Sequence, residues 1–333
     1  MKKKMSEIKQ SINNAQVIGT LKEINLEEVT KEVTLKGANG VEKKVMTQQI
    51  AKKEFKNPTF LVECKGMDIG IDFFPASEKK LDENGNIVDN SNFKALKTVL
   101  ENYVPKIKDA ENATRVKIDG MLANNEYVSK DTYEYKAFPQ INGFRITSTN
   151  VPEEDSADCE ISGIIRSIVP ETKGEDAEET GRLKVELYTF NKQAETTPFT
   201  FIVEQDLADD FNNFYEAGQS VKLYYEILTK QIGAKKPTTG GFGRRESKMV
   251  SGFSVTEYSV FRGDEPFDEE NEYYIDVEDM KKALNERDIK IENMIKTAKE
   301  NKDKPKTSSP KGASASTNKA NPFGSASTKK SPF

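Results

Sequence analysis

Apolar and polar positions alternate along much of the chain. Leu183, Val185 and Leu187 alternate with Lys184, Glu186 and Tyr188, and Phe199, Phe201 and Val203 alternate with Thr200 and Ile202. Period two turns one set of side chains toward a core and the other toward water, which predicts half-buried β-strands. Earlier in the chain Met67, Ile69, Ile71 and Phe73 interleave with Asp68, Gly70 and Asp72 in the same way. Two helices interrupt the pattern. Asp206–Gly218 carries Leu207, Phe211, Phe214 and Tyr215 at helical spacing, with Asp206 a capping candidate and Gly218 a terminator. Around 92–103, Phe93, Leu96, Leu100 and Tyr103 line one side of a second helix.

Three short matches recur in the same order. Gly19-Thr-Leu-Lys-Glu-Ile24 resembles Gly163-Ile-Ile-Arg-Ser-Ile168, Arg115-Val-Lys-Ile118 resembles Ser220-Val-Lys-Leu223, and Ile141–Thr147 resembles Val250–Thr256, at offsets of 144, 105 and 109. Their common order predicts a diverged tandem pair. Three strands, a helix and two strands in each half is the order of the five-stranded oligonucleotide/oligosaccharide-binding (OB) barrel, and a glycine after the start of strand one suits the sharp bend that closure needs. A β-sandwich or jelly roll also yields alternating strands. The expected architecture is mainly β: an arm at 1–14, OB-like units at 15–150 and 151–263, an acidic segment and helix at 264–300, and a tail at 301–333.

Composition sharpens this picture. The 333 residues are 35% hydrophobic and 32% charged, without histidine. Histidine-dependent catalysis and imidazole-ligated metals are thereby excluded. Cys64 and Cys159 lack partners for a zinc site and read as reduced core residues. No apolar run is long enough to span a membrane and no signal peptide is evident, so a cytoplasmic protein is expected. The net charge of −5 divides unevenly: the tail carries +6 and the rest −11. The tail's Ser, Thr, Lys and Ala cannot bury enough surface to order it, and disorder is expected there. Between Asp264 and Asp279 lie nine acids and no base, leading into the expected helix at 276–300. They read as a favourable helix N-terminus or as a strip that competes with nucleic acid.

Local clusters locate the candidate chemistry. Residues 229–248, between the fourth and fifth strands of the second unit, hold Lys230, Lys235, Lys236, Arg244, Arg245 and Lys248, four glycines and Phe242. That composition suits a finger that clasps a strand, or a solvated hairpin tip. The corresponding first-unit loop, 122–140, offers Tyr127, Tyr133, Tyr135 and Phe138, with Tyr133 and Tyr135 expected on one face. Lys43 and Lys44, with Lys52, Lys53 and Lys56, make another positive patch. Lys184, Tyr188 and Phe190, and likewise Lys222 and Tyr224, put rings and cations on the non-core faces of second-unit strands, as base stacking requires, unless the faces slip by one residue. Two loops after the first strands, Asn25–Glu32 and Glu171–Thr180, are acidic and count against phosphate binding. Asp68 and Asp72 share a strand face and could approach Mg²⁺, but such acids usually form a solvated surface, and neither a P-loop nor a dinucleotide fingerprint is present.

An OB barrel, a basic hairpin loop and a tail closing on Pro332-Phe333 together resemble single-stranded DNA-binding proteins of phages and mobile elements. The resemblance implies a non-catalytic, cofactor-free protein that coats single-stranded DNA in replication or recombination, in the host cytoplasm if phage-encoded. It also implies that the terminal Pro-Phe recruits replication or recombination enzymes. Lys329 and Lys330 stand where that class carries acids, so recruitment of the usual partners is in doubt. The competing reading is a structural or virion protein whose β domains bind protein.

Overall fold

The computed structural model describes residues 8–37, 40–149, 154–173, 178–232 and 253–302. The first unit runs β1 (Asn13–Ile24), β2 (Leu26–Lys36), β3 (Glu42–Lys52), β4 (Phe60–Cys64), β5 (Met67–Asp72), β6 (Ala76–Ser77), β7 (Lys79–Leu81), β8 (Ile87–Asp89), α1 (Ser91–Asn102), β9 (Arg115–Val128) and β10 (Tyr135–Ser148). The second runs β11 (Asp158–Lys173), β12 (Glu178–Phe190), β13 (Thr196–Val203), α2 (Gln205–Phe214), β14 (Ser220–Ile232) and β15 (Phe253–Gly263), and α3 (Val277–Lys302) follows. Strands β1, β4, β5, β10 and β9 close in that order into a five-stranded barrel, with β5 and β10 parallel. Strands β11, β12, β13, β15 and β14 close identically. Both are OB barrels, each with its helix between the third and fourth barrel strands.

The repeat is carried by backbone geometry. A Cβ on Gly19 would stand 2.4 Å from the Glu63 carbonyl oxygen, and one on Gly163 2.4 Å from that of Tyr188. Two residues later the same bulge follows in each barrel, between Leu21 and Glu23 and between Ile165 and Ser167. Glycine lets strand one cross strand two closely, and the bulge adds the bend that closes the sheet. Gly19 pairs with Val116 and Gly163 with Val221, so the second match also keeps its register. The third does not. Ile141 faces Leu122 and Tyr258 faces Ile227. The structural equivalent of Ile141 is therefore Tyr258, at an offset of 117, and the likeness to Val250 is coincidental.

The barrels are joined by their first strands. β1 pairs antiparallel with β11 through Asn13–Ile161, Asn14–Glu160 and Ala15–Cys159. Ala15 faces its own repeat equivalent, which puts a pseudo-two-fold axis through this pair. Two further contacts obey the axis: Asn124 Nδ2 donates to the Pro198 carbonyl (3.0 Å), and Thr229 Oγ1 donates to that of Asp68 (2.9 Å). One apolar core runs through both barrels, with Leu21, Phe60, Ile71, Ile118, Ile161, Phe201 and Tyr225 almost wholly buried.

Several expectations are corrected. The segment 25–32 is not simply a loop: β2 begins at Leu26 and forms a long ribbon with β3, because β-branched Val29, Thr30, Val33 and Thr34 suit extended backbone while its charged residues face water. Asp206 lies in the first turn of α2 rather than at its cap, which is Glu204. On α1 the cap is Asn90, whose side chain accepts from Asn92 N at 3.1 Å. Glu171 is buried and ion-paired with Arg182 at 2.8 Å, so it adds no negative field at the surface.

Substituting Gly19 or Gly163 by Ala is expected to lower stability by about 1–3 kcal/mol through overpacking against backbone, read as a reduced urea midpoint at unchanged m-value. Burial pushes the Cys64 thiol up to about 11 and that of Cys159 up to about 12. Both should therefore resist a thiol reagent at pH 8 in the native protein and react once it unfolds.

Candidate nucleic-acid interface

The pseudo-two-fold arrangement makes two clefts, each between the third strand of one barrel and the fourth-strand hairpin of the other. In the first, Ile69, Gly70 and Asp72 of β5 face Ile227, Thr256 and Tyr258 of β14 and β15 across about 570 Å³. In the second, Phe199 and Thr197 of β13 face Leu122 and Asn124 of β9 across about 350 Å³. The first is open and the second is roofed.

The roof comes from residues 8–11 and from 275–290. Ile164, Tyr188 and Phe190 form a second core with Ile275, Met280 and Ala283, against which Ile8 and Leu284 pack. Ser11 exchanges two 2.9 Å bonds with Phe190, giving N–H to its carbonyl and receiving its N–H at Oγ. From α3, Arg287 donates to the Thr196 carbonyl and to the Tyr135 hydroxyl (2.9 Å each) and contacts Glu126, while Lys290 pairs with Glu195. Burial pushes Tyr135 up to about 12.

The open cleft has a different lining. Between β3 and β4 the chain carries Lys53, Phe55 and Lys56 outward, and after β5 it carries Phe74. Phe55 is 89% and Phe74 76% exposed. The loop holding Phe55 is fixed by buried Asn25, whose side-chain amide donates to the carbonyls of Glu54 (2.8 Å), Asn57 (3.3 Å) and Pro58 (3.2 Å) and whose oxygen accepts from Glu54 N (3.0 Å). Phe73 anchors the other ring-bearing segment: it packs edge-on against Phe60 at 5.1 Å and fills the space beside Gly143. Lys52 pairs with Asp72, and Lys56, Asn57, Gln140 and Asn142 complete the polar lining. The far wall belongs to the hairpin from which residues 233–252 depart, only three ladder pairs beyond Thr229–Thr256, or about 10 Å.

Against this geometry the residues singled out by pattern separate. Tyr188 and Phe190 do lie on the outward side of β12, but at 3% and 2% exposure they are covered by the N-terminal arm, the 275–284 segment and α3 and present no ring to a ligand. Tyr133 has a left-handed φ of 57° in the turn before β10, so it does not share a strand face with Tyr135. Tyr135 is committed to Arg287. Tyr127 is exposed and stacks on Phe138 at 6.0 Å. Lys222 is paired with Glu160 (2.7 Å), and Tyr224 lies between Lys222 and Arg262 and donates to Asp264 (3.0 Å). Lys43 donates to the Gly85 carbonyl (2.7 Å), tying β3 to the turn between β7 and β8. Lys44 on β3 is exposed, and Lys184 on β12 is half-buried. Lys235, Lys236, Phe242, Arg244, Arg245, Lys248, Pro332 and Phe333 lie outside the described residues. Asp68 and Asp72 are paired with Lys22 and Lys52. Among the described residues no cluster of acids and cysteines is arranged to hold a metal, and no helix is long and apolar enough to cross a membrane.

Fold and cleft together define a tandem OB-barrel protein with one open and one roofed inter-barrel cleft. A family model described as YorF matches residues 11–297, and the chain belongs to that family. No curated protein matches. Among solved structures, the chain is similar to the wild-type single-stranded DNA binding protein from Thermus aquaticus, at 10% identity and a TM-score of 0.40, over 78% of this chain and 95% of that one. It is also similar to a deletion mutant of that protein, at 10% identity and a TM-score of 0.39, over 78% of this chain and 97% of that one.

Replacing Asn25 by Ala should free the loop of Phe55 and Lys56 at a cost of about 1–3 kcal/mol in unsatisfied backbone groups. Faster amide exchange confined to residues 53–58, together with a lower thermal midpoint, would register it.

Proposed function

We propose that this protein binds and protects single-stranded DNA, with little sequence preference, during replication and recombination, and that it does so without catalysis. The observation that carries the reading is the open cleft, where Phe55 and Phe74 project into water beside Lys56, with Lys53 exposed on the same loop, and opposite the departure point of the basic loop. A ring left exposed forgoes about 1.5–3 kcal/mol of burial. A base stacked on it recovers much of that while the lysines meet its phosphates. A duplex keeps its base faces stacked on one another and offers these rings nothing. Because the chain outside the tail carries −11, affinity rests on this local positive field rather than on overall charge.

The division into units at 15–150 and 151–263 belongs to the same proposal, as does contact with DNA by Lys235, Lys236, Phe242, Arg244, Arg245 and Lys248. Pro332-Phe333 is assigned a role in docking replication or recombination proteins.

Fluorescence anisotropy with labelled oligo-dT tests the reading. Saturable binding is expected at low salt, weak binding to a duplex, and a log–log salt slope of about −0.7 per phosphate neutralised. Phe55→Ala and Phe74→Ala should each weaken binding by about 1–3 kcal/mol, while Arg244→Ala with Arg245→Ala should flatten the salt slope. Absence of saturable binding, or equal affinity for duplex, contradicts it. Ultraviolet cross-linking to the oligonucleotide separates this reading from a purely protein-binding one, since stacked rings cross-link.

A further inference from the structure

We propose that Arg182 is a positioning residue for strand binding: it fixes, from the side away from the open cleft, the stem of β14 and β15 that forms the cleft's far wall and bears the basic loop. The inference rests on the reading of that cleft as the strand site. Arg182 and Glu171 have side chains only 9% and 6% exposed. The guanidinium grips Glu171 with two bonds of 2.8 Å, from Nε and Nη2. Its Nη1 donates to Glu204 (3.2 Å) and to Glu257 (3.1 Å), and Lys230 Nζ donates to Glu257 from the other side (2.7 Å). Glu171 belongs to β11, Arg182 to β12, Lys230 to β14 and Glu257 to β15, while Glu204 follows β13 as the cap of α2. One arginine thus ties the ends of the barrel strands together.

The stem is held on both faces. Ile227, Thr256 and Tyr258 turn to the open cleft, and Thr229 between them in register donates to the Asp68 carbonyl (2.9 Å). Lys230 and Glu257 alternate with these residues and so lie on the opposite face, against Arg182. Beyond Lys230–Val255 only two further pairs precede the end of the ladder at Ile232–Phe253, about 7 Å away.

Stability alone does not account for such a cluster. Taking charges out of water is costly, and apolar residues of similar volume generally serve stability as well or better. The other barrel supplies the comparison. By ladder register, Lys230 and Glu257 correspond to Asn125 and Gln140, both neutral, and Gln140 bonds Asn142 on its own strand (2.7 Å). The second strand there, Phe60–Cys64, holds no arginine. The turn it would steady, 129–134, has one base and two acids, whereas 233–252 has five bases and one acid. The ion cluster accompanies the cationic hairpin. It acts in two ways: it presents the stem already ordered, which lowers the entropy lost on binding, and it neutralises Glu204 and Glu257, which would otherwise set a negative field beneath the bases that meet phosphate.

Replacing Arg182→Met together with Glu171→Leu in the full chain removes the buried pair without stranding a charge. This variant should keep its circular dichroism and urea midpoint, exchange amides faster at 229–232 and 253–256, bind oligo-dT at least tenfold more weakly, and show a flatter salt slope. A change in slope at unchanged stability is what a purely structural role would not produce. Glu257→Gln leaves Arg182 on Glu171 and Glu204 and releases only the stem; it should weaken binding about threefold with the same local exchange, and it serves if the double variant misfolds. Wild-type affinity and slope in either folded variant, or unchanged stem exchange, overturns the positioning role while leaving strand binding intact. A wild type that binds no oligo-dT overturns the strand-binding reading itself, and the positioning role with it.

Discussion

The antiparallel contact between the first strands of the two barrels governs everything else in this molecule. Only three residue pairs make it, yet pairing Ala15 with its own equivalent Cys159 fixes one barrel relative to the other by a near two-fold rotation. That rotation carries each fourth-strand hairpin over the third strand of the opposite barrel, where Asn124 and Thr229 make corresponding bonds. Both clefts, and the broad sheet face behind them, are consequences of the same joint.

From that symmetric start the two clefts have diverged. One is bordered by the N-terminal arm and α3, whose Met280 and Ala283 pack on Ile164, Tyr188 and Phe190 and whose Arg287 reaches across to the other barrel. The other keeps two rings in solvent on loops tied from beneath, one by the hydrogen bonds of Asn25 and the other by Phe73 against Phe60 and Gly143. Rigid support matters for binding because an exposed ring that is already positioned loses little further entropy when a base stacks on it. The bordered cleft thus carries the contacts that brace the two barrels, and the other is the proposed site.

Much of the barrel was legible in the sequence. Alternation at 183–187 and 199–203 located strands, and Gly19 and Gly163 disclosed the repeat because close strand crossing tolerates no Cβ there. The third repeat match misled because short β sequences share residues by composition, and only ladder register distinguishes Tyr258 from Val250 as the equivalent of Ile141. For Tyr188 and Phe190 the pattern gave the correct strand face. Their burial is decided by Met280 and Ala283, some ninety residues later, and alternation along a strand carries no information about what covers it. Phe55 and Phe74 escaped notice for the opposite reason: they lie in irregular segments where no periodicity marks a side chain as inward or outward.

Hydrogen–deuterium exchange with and without oligo-dT tests the location of the site most directly. Protection is expected at residues 53–57 and 73–76 and along the hairpin of β14 and β15, with the ends of β12 and α3 unchanged. Protection centred on β12 and α3 instead, or none in the open cleft at saturating oligonucleotide, would contradict it.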